Sequence, residues 1–381
     1  MDRLQVNPTD RFTGEECTLL RLYPNYFRLT VDGDPAGMVG KVLGLNRLQG
    51  LKAVTVRWAS DGVSKAIMRH PGIVKVHIRD TLNISRMKNW RTRYNSVLHF
   101  SMDEHFSPPA VSKVQELRLS NCFVQCGQLN ELLAAISQGH SAIKSLRLNR
   151  LGCECPLTHN DCPMSSKLLG QASNKLTHLT LKDISFNRYN LMQEARNFNL
   201  EKMFDATEEE TSLRELVVAS NPHFSFISPS VLTSALVRIE SVVLISVDLA
   251  LQQSLNFFAR LKTHNNGKLR KLRIQYNSYN NRDNNNSVKH VNAALLAEAL
   301  NNLEHVELQN VNLSSEQATA ILDRSLKGTK LKTLRLDRFD ADRQHLFVSA
   351  KLMAEIPFSF EFNDIQPCVK WHSGLNEELY S

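Results

Sequence analysis

Three thiols and an imidazole fall within one short stretch, Gly152-Cys-Glu-Cys-Pro-Leu-Thr-His-Asn-Asp-Cys162. Cys153, Cys155, Cys162 and His159 form a donor set that a loop could wrap around tetrahedral zinc. The single residue between Cys153 and Cys155 is tighter than the spacing such sites use, so we expect an insertion that holds no metal. Arg86-Met-Lys-Asn-Trp-Arg-Thr-Arg-Tyr94 interleaves basic side chains with Trp90 and Tyr94, the composition of a phosphate contact. A solvated charged helix is the commoner outcome for such a run. Gly33-Asp-Pro-Ala-Gly-Met-Val-Gly-Lys41 fails as a phosphate loop, because Pro35 and Val42 stand where glycine and a hydroxyl residue are required. There is no H-E-x-x-H and no G-x-S-x-G, and the His residues sit singly. Catalysis has no constellation to stand on, and we expect no enzyme and no cofactor.

The elements that would position these residues repeat along the chain. L-x-x-L-x-L, with Ile, Val or Phe substituting, occurs at Val114–Leu117–Leu119, Ile143–Leu146–Leu148, Leu176–Leu179–Leu181 and Leu213–Leu216–Val218. It continues at Ile239–Val242–Leu244, Leu269–Leu272–Ile274, Leu303–Val306–Leu308 and Leu331–Leu334–Leu336, at intervals of 26 to 37 residues. Tighter copies lie at Leu51–Val54–Val56 and Ile73–Val76–Ile78, looser ones at Tyr26–Leu29–Val31 and Leu98–Phe100, and a last one at Phe358–Phe362. Alternation of period two predicts strands with the apolar set inward. Between them, Leu129, Leu132, Leu133 and Ile136 share one helical face, as do Leu295, Leu296, Ala299 and Leu300. Ser228-Pro229 is a helix start, and Ser314-Ser-Glu-Gln317 reads as a capping box. One such unit cannot bury both its strand and its helix alone, so neighbours must stack.

These segments resemble leucine-rich repeats. Val114-Gln-Glu-Leu-Arg-Leu-Ser-Asn-Cys122 is similar to the cysteine-containing repeats of F-box substrate receptors, and the long intervals are similar to ribonuclease-inhibitor-like arrays. Position nine of the repeat departs from Asn or Cys at Leu151, Ile184, Val247, Val311 and Phe339. The resemblance implies an α/β leucine-rich-repeat solenoid, a horseshoe with a parallel concave sheet of about thirteen strands and helices or irregular turns on the convex side. We expect an N-terminal cap over residues 1–25, the solenoid over 26–362 and a tail over 363–381. With strands beginning near Tyr26, we expect no Leu- and Pro-rich helical segment of F-box kind before the array, and an adaptor role would then need another docking element.

Composition narrows the setting. Seven cysteines, odd in number and unevenly spread among 381 residues, argue against a disulfide framework. The chain has no long apolar run and no signal-like start, and we therefore expect it in the cytosol or nucleus, away from membranes. A net charge of +8 favours acidic partners, although 38 acidic residues preclude a polybasic tail.

Outward strand positions map the expected binding face. Arg57, Lys75, His77, Arg79, His99, Arg118, Arg147, His178 and Lys182 make a positive track. Val217, Ala219, Val243 and Ile245 then interrupt it with apolar side chains, and Lys271 and Arg273 restore the charge. An apolar patch with a basic rim is the composition of a protein interface. The expected function is a non-catalytic scaffold or adaptor, including substrate recognition in a ubiquitin-ligase-like complex, that binds an acidic protein with an apolar anchor and is monomeric outside its complex. The alternative is nucleic-acid or acidic-polymer binding through the basic track.

Overall fold

Alternating sequences become strands here because one face has a core to meet. The computed structural model describes residues 3–6, 28–32, 53–57, 72–79, 114–120, 123–124, 126–149, 151–153, 165–184, 200–221, 224–247, 249–263, 267–276, 287–326, 330–340, 359–362 and 369–371. The chain packs as two compact units, residues 1–208 and 209–381.

In the first unit β1 (Arg3–Val6), β2 (Arg28–Asp32), β3 (Ala53–Arg57), β4 (Lys75–Arg79) and β5 (Glu116–Ser120) pair in that order, all parallel. β6 (Phe123–Val124) pairs instead with β8 (Gly152–Cys153) in a separate ribbon. β7 (Ser145–Asn149) and β9 (His178–Lys182) extend the main sheet beyond β5. The helices are α1 (Cys126–Ser137), α2 (Ser166–Ser173) and α3 (Leu200–Asp205). In the second unit the order is β10 (Glu215–Ala219), β11 (Ser241–Ile245), β12 (Lys271–Gln275), β13 (His305–Ser314), β14 (Thr333–Asp340) and β15 (Ser359–Phe362), again parallel. Its helices are α4 (Pro229–Leu236), α5 (Leu251–Thr263), α6 (Ala293–Leu300) and α7 (Ser315–Leu326).

Repeat by repeat, the fourth motif position fills the core. Leu117, Leu146 and Leu179 stand in register in the first unit, and Leu216, Val242, Leu272, Val306 and Leu334 in the second. Every one is 2% exposed or less. Burying each such side chain contributes about 1.5–3 kcal/mol, so the ladder is the main cohesive element of each sheet.

The backbone turns left-handed at the same point in four of the repeats. Asp183, Ser220, Ser246 and Asn310, each one residue past the motif's fifth strand position, have φ of 50°, 51°, 51° and 53°. Left-handed backbone is uncommon for residues with a Cβ, and its recurrence shows that repeat geometry imposes it. Ser220 N–H donates to Ile245 O at 2.8 Å and Ser246 N–H to Gln275 O at 2.6 Å, which anchors the turn to the next strand. At position nine Leu151, Ile184, Val247 and Val311 are buried, and Asn221 Nδ2 donates to Ala219 O at 3.0 Å.

Both helix starts read from sequence are present. Ser314 Oγ accepts from Gln317 N–H at 3.2 Å while Gln317 Oε1 accepts from Ser314 N–H at 3.0 Å, the reciprocal pair of a capping box. Pro229 occupies the first turn of α4, but Ser228 makes no side-chain cap. Two features were not expected. A strand, β1, lies within residues assigned to the cap, and β16 (Val369–Trp371), within the assigned tail, pairs antiparallel to β15 in an otherwise parallel sheet. The motif at Leu98–Phe100 lies outside the described residues, as do Arg86–Tyr94, Gly33–Lys41, most of the Cys153–Cys162 loop and residues 277–286.

Candidate functional site

Register lines up the outward side chains of each sheet into rows. In the first unit the central row is His77, Arg118, Arg147 and Thr180, on β4, β5, β7 and β9. Lys75, Glu116, Ser145 and His178 form the row beside it. Glu116 gathers the cations: Lys75 Nζ lies 3.1 Å from its carboxylate, Arg118 3.6 Å and Arg147 3.8 Å. Burial alone would raise the Glu116 carboxyl, but the hydrogen bond from Lys75 and the charges of Lys75, Arg147 and Arg118 outweigh it and hold the group below the ordinary carboxylate range. His77 Nε2 pairs with Ser120 Oγ at 3.2 Å, and His178 Nδ1 with Thr177 Oγ1 at 2.8 Å. Lys182 is exposed at the end of β9. Arg57 and Arg79 end β3 and β4 in register with each other, and His99 lies outside the described residues.

The second unit's face is different in kind. Its central row runs Val217, Val243, Arg273, Glu307 and Arg335. Val217, Val243 and Ile245 are half-buried on adjacent strands, while their chain neighbours Leu216, Val218, Val242 and Leu244 are fully buried. Ala219 corrects the expectation: it is 2% exposed. A methyl group beside Ile245 in register, at the residue before the left-handed turn at Ser220, does not reach past its neighbours.

Beside the apolar strip lies a connected polar lattice. Glu307 takes Arg273 at 3.3 Å and Arg335 at 2.9 Å. A terminal guanidinium nitrogen of Arg273 donates to Gln275 Oε1 at 2.7 Å and Gln309 Oε1 at 3.0 Å, and Gln309 Nε2 donates to Glu307 at 2.8 Å. Lys271 is exposed, and its charge, together with the larger effect of burial, lowers the His305 pKa. The rim of the strip is thus fixed in place by its own hydrogen bonds, which reduces the ordering cost of association.

The sequence reading missed Glu116, Glu307, Gln309 and Arg335. Their signal was available, since all four occupy the same outward alternation that selected Arg118 and Arg273. Among the described residues no three His, Cys, Asp or Glu side chains are placed to hold a metal, and no helix is long and apolar enough to cross a membrane.

In-register parallel strands, a buried aliphatic ladder and a recurring helix between strands define an α/β repeat architecture. No family model matches the chain, and no curated protein matches it. Among solved structures it is similar to a chain in the crystal structure of the Rad7 and Elc1 complex in yeast, with 13% identity and a TM-score of 0.49, covering 88% of this chain and 79% of that one.

Proposed function

We propose that the chain is a non-catalytic protein-binding adaptor, and that the outward face of the second unit's sheet receives an apolar anchor of the partner. The observation that carries this reading is the strip of Val217, Val243 and Ile245, half-buried on adjacent strands beside a fixed polar rim. Covering one such aliphatic side chain contributes on the order of 1.5–3 kcal/mol at most, enough for two or three to dominate a small interface. The positive side chains of the first unit favour a partner with acidic character. A single concave solenoid over residues 26–362, flanked by cap and tail, belongs to this proposal, as does substrate recognition in a ubiquitin-ligase-like complex, the narrower setting that the F-box-type resemblance implies. The protein is proposed to act as a monomer outside that complex, in the cytosol or nucleus.

Affinity capture from native extract, run in parallel on variants, tests the reading. Val217→Asp with Val243→Asp is expected to keep the circular dichroism spectrum and lose the main protein partner. Arg118→Ala with Arg147→Ala is expected to weaken capture less, chiefly at low salt. If the apolar pair is silent and the basic pair abolishes binding to RNA or DNA, the nucleic-acid reading replaces this one.

A further inference from the structure

The cations on and beside the central strands of the second unit differ in whether a carboxylate meets them. Arg273 and Arg335 both reach Glu307, at 3.3 and 2.9 Å. One residue before the strands, Arg270 and Lys332 both reach Glu304. Lys271 opens β12 between Arg270 and Arg273 and is exposed, and its ammonium makes no hydrogen bond or ion pair with a described residue. Its charge is felt instead by His305, the next member of its row, whose pKa is lowered first by burial and then by Lys271. That row reads Glu215, Ser241, Lys271, His305 and Thr333, and the row two residues further along the strands reads Val217, Val243, Arg273, Glu307 and Arg335. Lys271 therefore stands one strand across and one row back from Val243, at the border of the apolar strip.

We infer that Lys271 receives a carboxylate side chain of the protein partner, an Asp or Glu two residues from the apolar anchor in an extended segment lying along β11. The inference rests on the reading of the Val217, Val243 and Ile245 strip as the anchor site and adds the partner's sequence pattern. Spacing supports it. Successive outward rows lie two strand residues apart, about 6.6 Å, and an extended segment presents its own residues i and i+2 to one side at the same interval. An apolar side chain seated on Val217 and Val243 thus brings a side chain two residues away over Ser241. Lys271 lies one strand from Ser241, about 4.8 Å, an offset that its flexible four-carbon stem can span. Charge fixes the side, because Glu215 lies in the same row across Ser241 and repels an acid placed toward β10. A single carboxylate also suits the site better than a polyanion, since the neighbouring cations already share Glu307 and Glu304. The rows set the separation of anchor and acid and leave the direction of the partner's chain open.

The test is display selection of random linear peptides on the immobilised full chain, with sequencing of the selected pools. Wild type is expected to enrich peptides that carry Leu, Ile, Val, Met or Phe with Asp or Glu two residues away. The enrichment over Asn or Gln at that place is expected to be about two- to fivefold, the scale of one exposed ion pair. Lys271→Glu is expected to exchange this preference for Lys or Arg at the same place, a gain that an unfolded variant cannot produce. Lys268→Glu, the same charge change at an exposed lysine ahead of β12, is expected to leave the acidic preference intact. The inference is overturned by pools with no acidic preference two residues from the apolar residue, by a preference four residues away, the spacing of a helical partner, or by an acidic preference that survives Lys271→Glu. If apolar residues are enriched without the acid, and that enrichment is lost in Val217→Asp with Val243→Asp, the adaptor reading stands and the Lys271 contact alone is rejected. If no apolar residue is enriched, both readings fall.

Discussion

Replacing Gln317 by alanine should unstitch two neighbouring repeats. Gln317 is 2% exposed and acts in two directions at once. Its Oε1 caps the local helix through Ser314 N–H, while its Nε2 donates back to Val288 O at 3.0 Å and Val291 O at 2.7 Å, in the 3₁₀ turn that precedes α6 and the residue after it. Gln253 repeats the arrangement two repeats earlier, with Oε1 accepting from Ala250 N–H at 2.8 Å and Nε2 donating to Phe224 O at 3.0 Å and Ile227 O at 2.6 Å. Removing the side chain leaves Val291 O without its donor, whereas Val288 O keeps the bond from Val291 N–H, and the exposed Ser314 N–H can turn to water. One buried unsatisfied carbonyl costs about 1–3 kcal/mol and each lost net hydrogen bond about 0.5–1.5, so the expected loss is on the order of 2–4 kcal/mol at either site. Gln317→Glu should cost more, because it turns a carboxylate toward two carbonyl oxygens. Equilibrium urea unfolding followed by far-ultraviolet circular dichroism reads the loss as a lower midpoint. Losses below about 0.5 kcal/mol at both glutamines, or a Gln317→Glu variant as stable as wild type, would refute the reasoning.

Gly170→Ala should lower the melting temperature, although glycine to alanine inside a helix ordinarily gains about 1 kcal/mol. The added Cβ would lie 2.2 Å from Met203 O and 2.8 Å from Ala206 Cβ, so α2 and α3 would have to separate; an unchanged or higher melting temperature contradicts that contact. Leu179→Ala, in the buried ladder at 0% exposure, should cost about 2–5 kcal/mol by urea unfolding, and a cost near zero would show the position able to reach solvent. Hydrogen bonds from Lys332 and Arg270 hold the Glu304 carboxyl at about 2, against an ordinary 4.5, so its stabilising contribution is complete above the ordinary value and is lost as pH falls toward the depressed one. Wild type should therefore exceed Glu304→Gln in stability near neutral pH, with the difference shrinking through that acid window; a difference independent of pH would show that the ion pair contributes nothing.

Period-two alternation was sufficient to place Leu117, Leu146, Leu179 and Leu216 in the core and Arg118, Arg147, Val217 and Val243 on the other face, because the side of a sheet a residue occupies is a local property. The cap at Ser314 and Gln317 was legible for the same reason, all its partners lying within one turn. Which outward side chains meet was not legible. Glu116 reaches Lys75 and Arg147 on neighbouring strands, 41 and 31 residues away in the chain, and those pairings depend on register between repeats of unequal length. The second role of Gln317 is hidden likewise, since its acceptors are backbone carbonyls 26 and 29 residues earlier, which carry no residue-type signal. Ala219 shows the limit of alternation itself: an outward position is exposed only if its side chain outreaches its neighbours. β1, with Leu4 and Val6 paired to Leu29 and Val31, follows the pattern but is too short to stand out without its partner strand.

The most direct measurement of the adaptor reading is the salt dependence of affinity for the captured partner, wild type against Val217→Asp with Val243→Asp. An interface anchored on Val217, Val243 and Ile245 predicts a shallow slope, with binding that persists at high salt and disappears in the double variant. Binding held mainly by phosphate neutralisation would instead fall about a thousandfold or more between roughly 50 and 200 mM salt while the double variant binds like wild type, and that result would contradict the account.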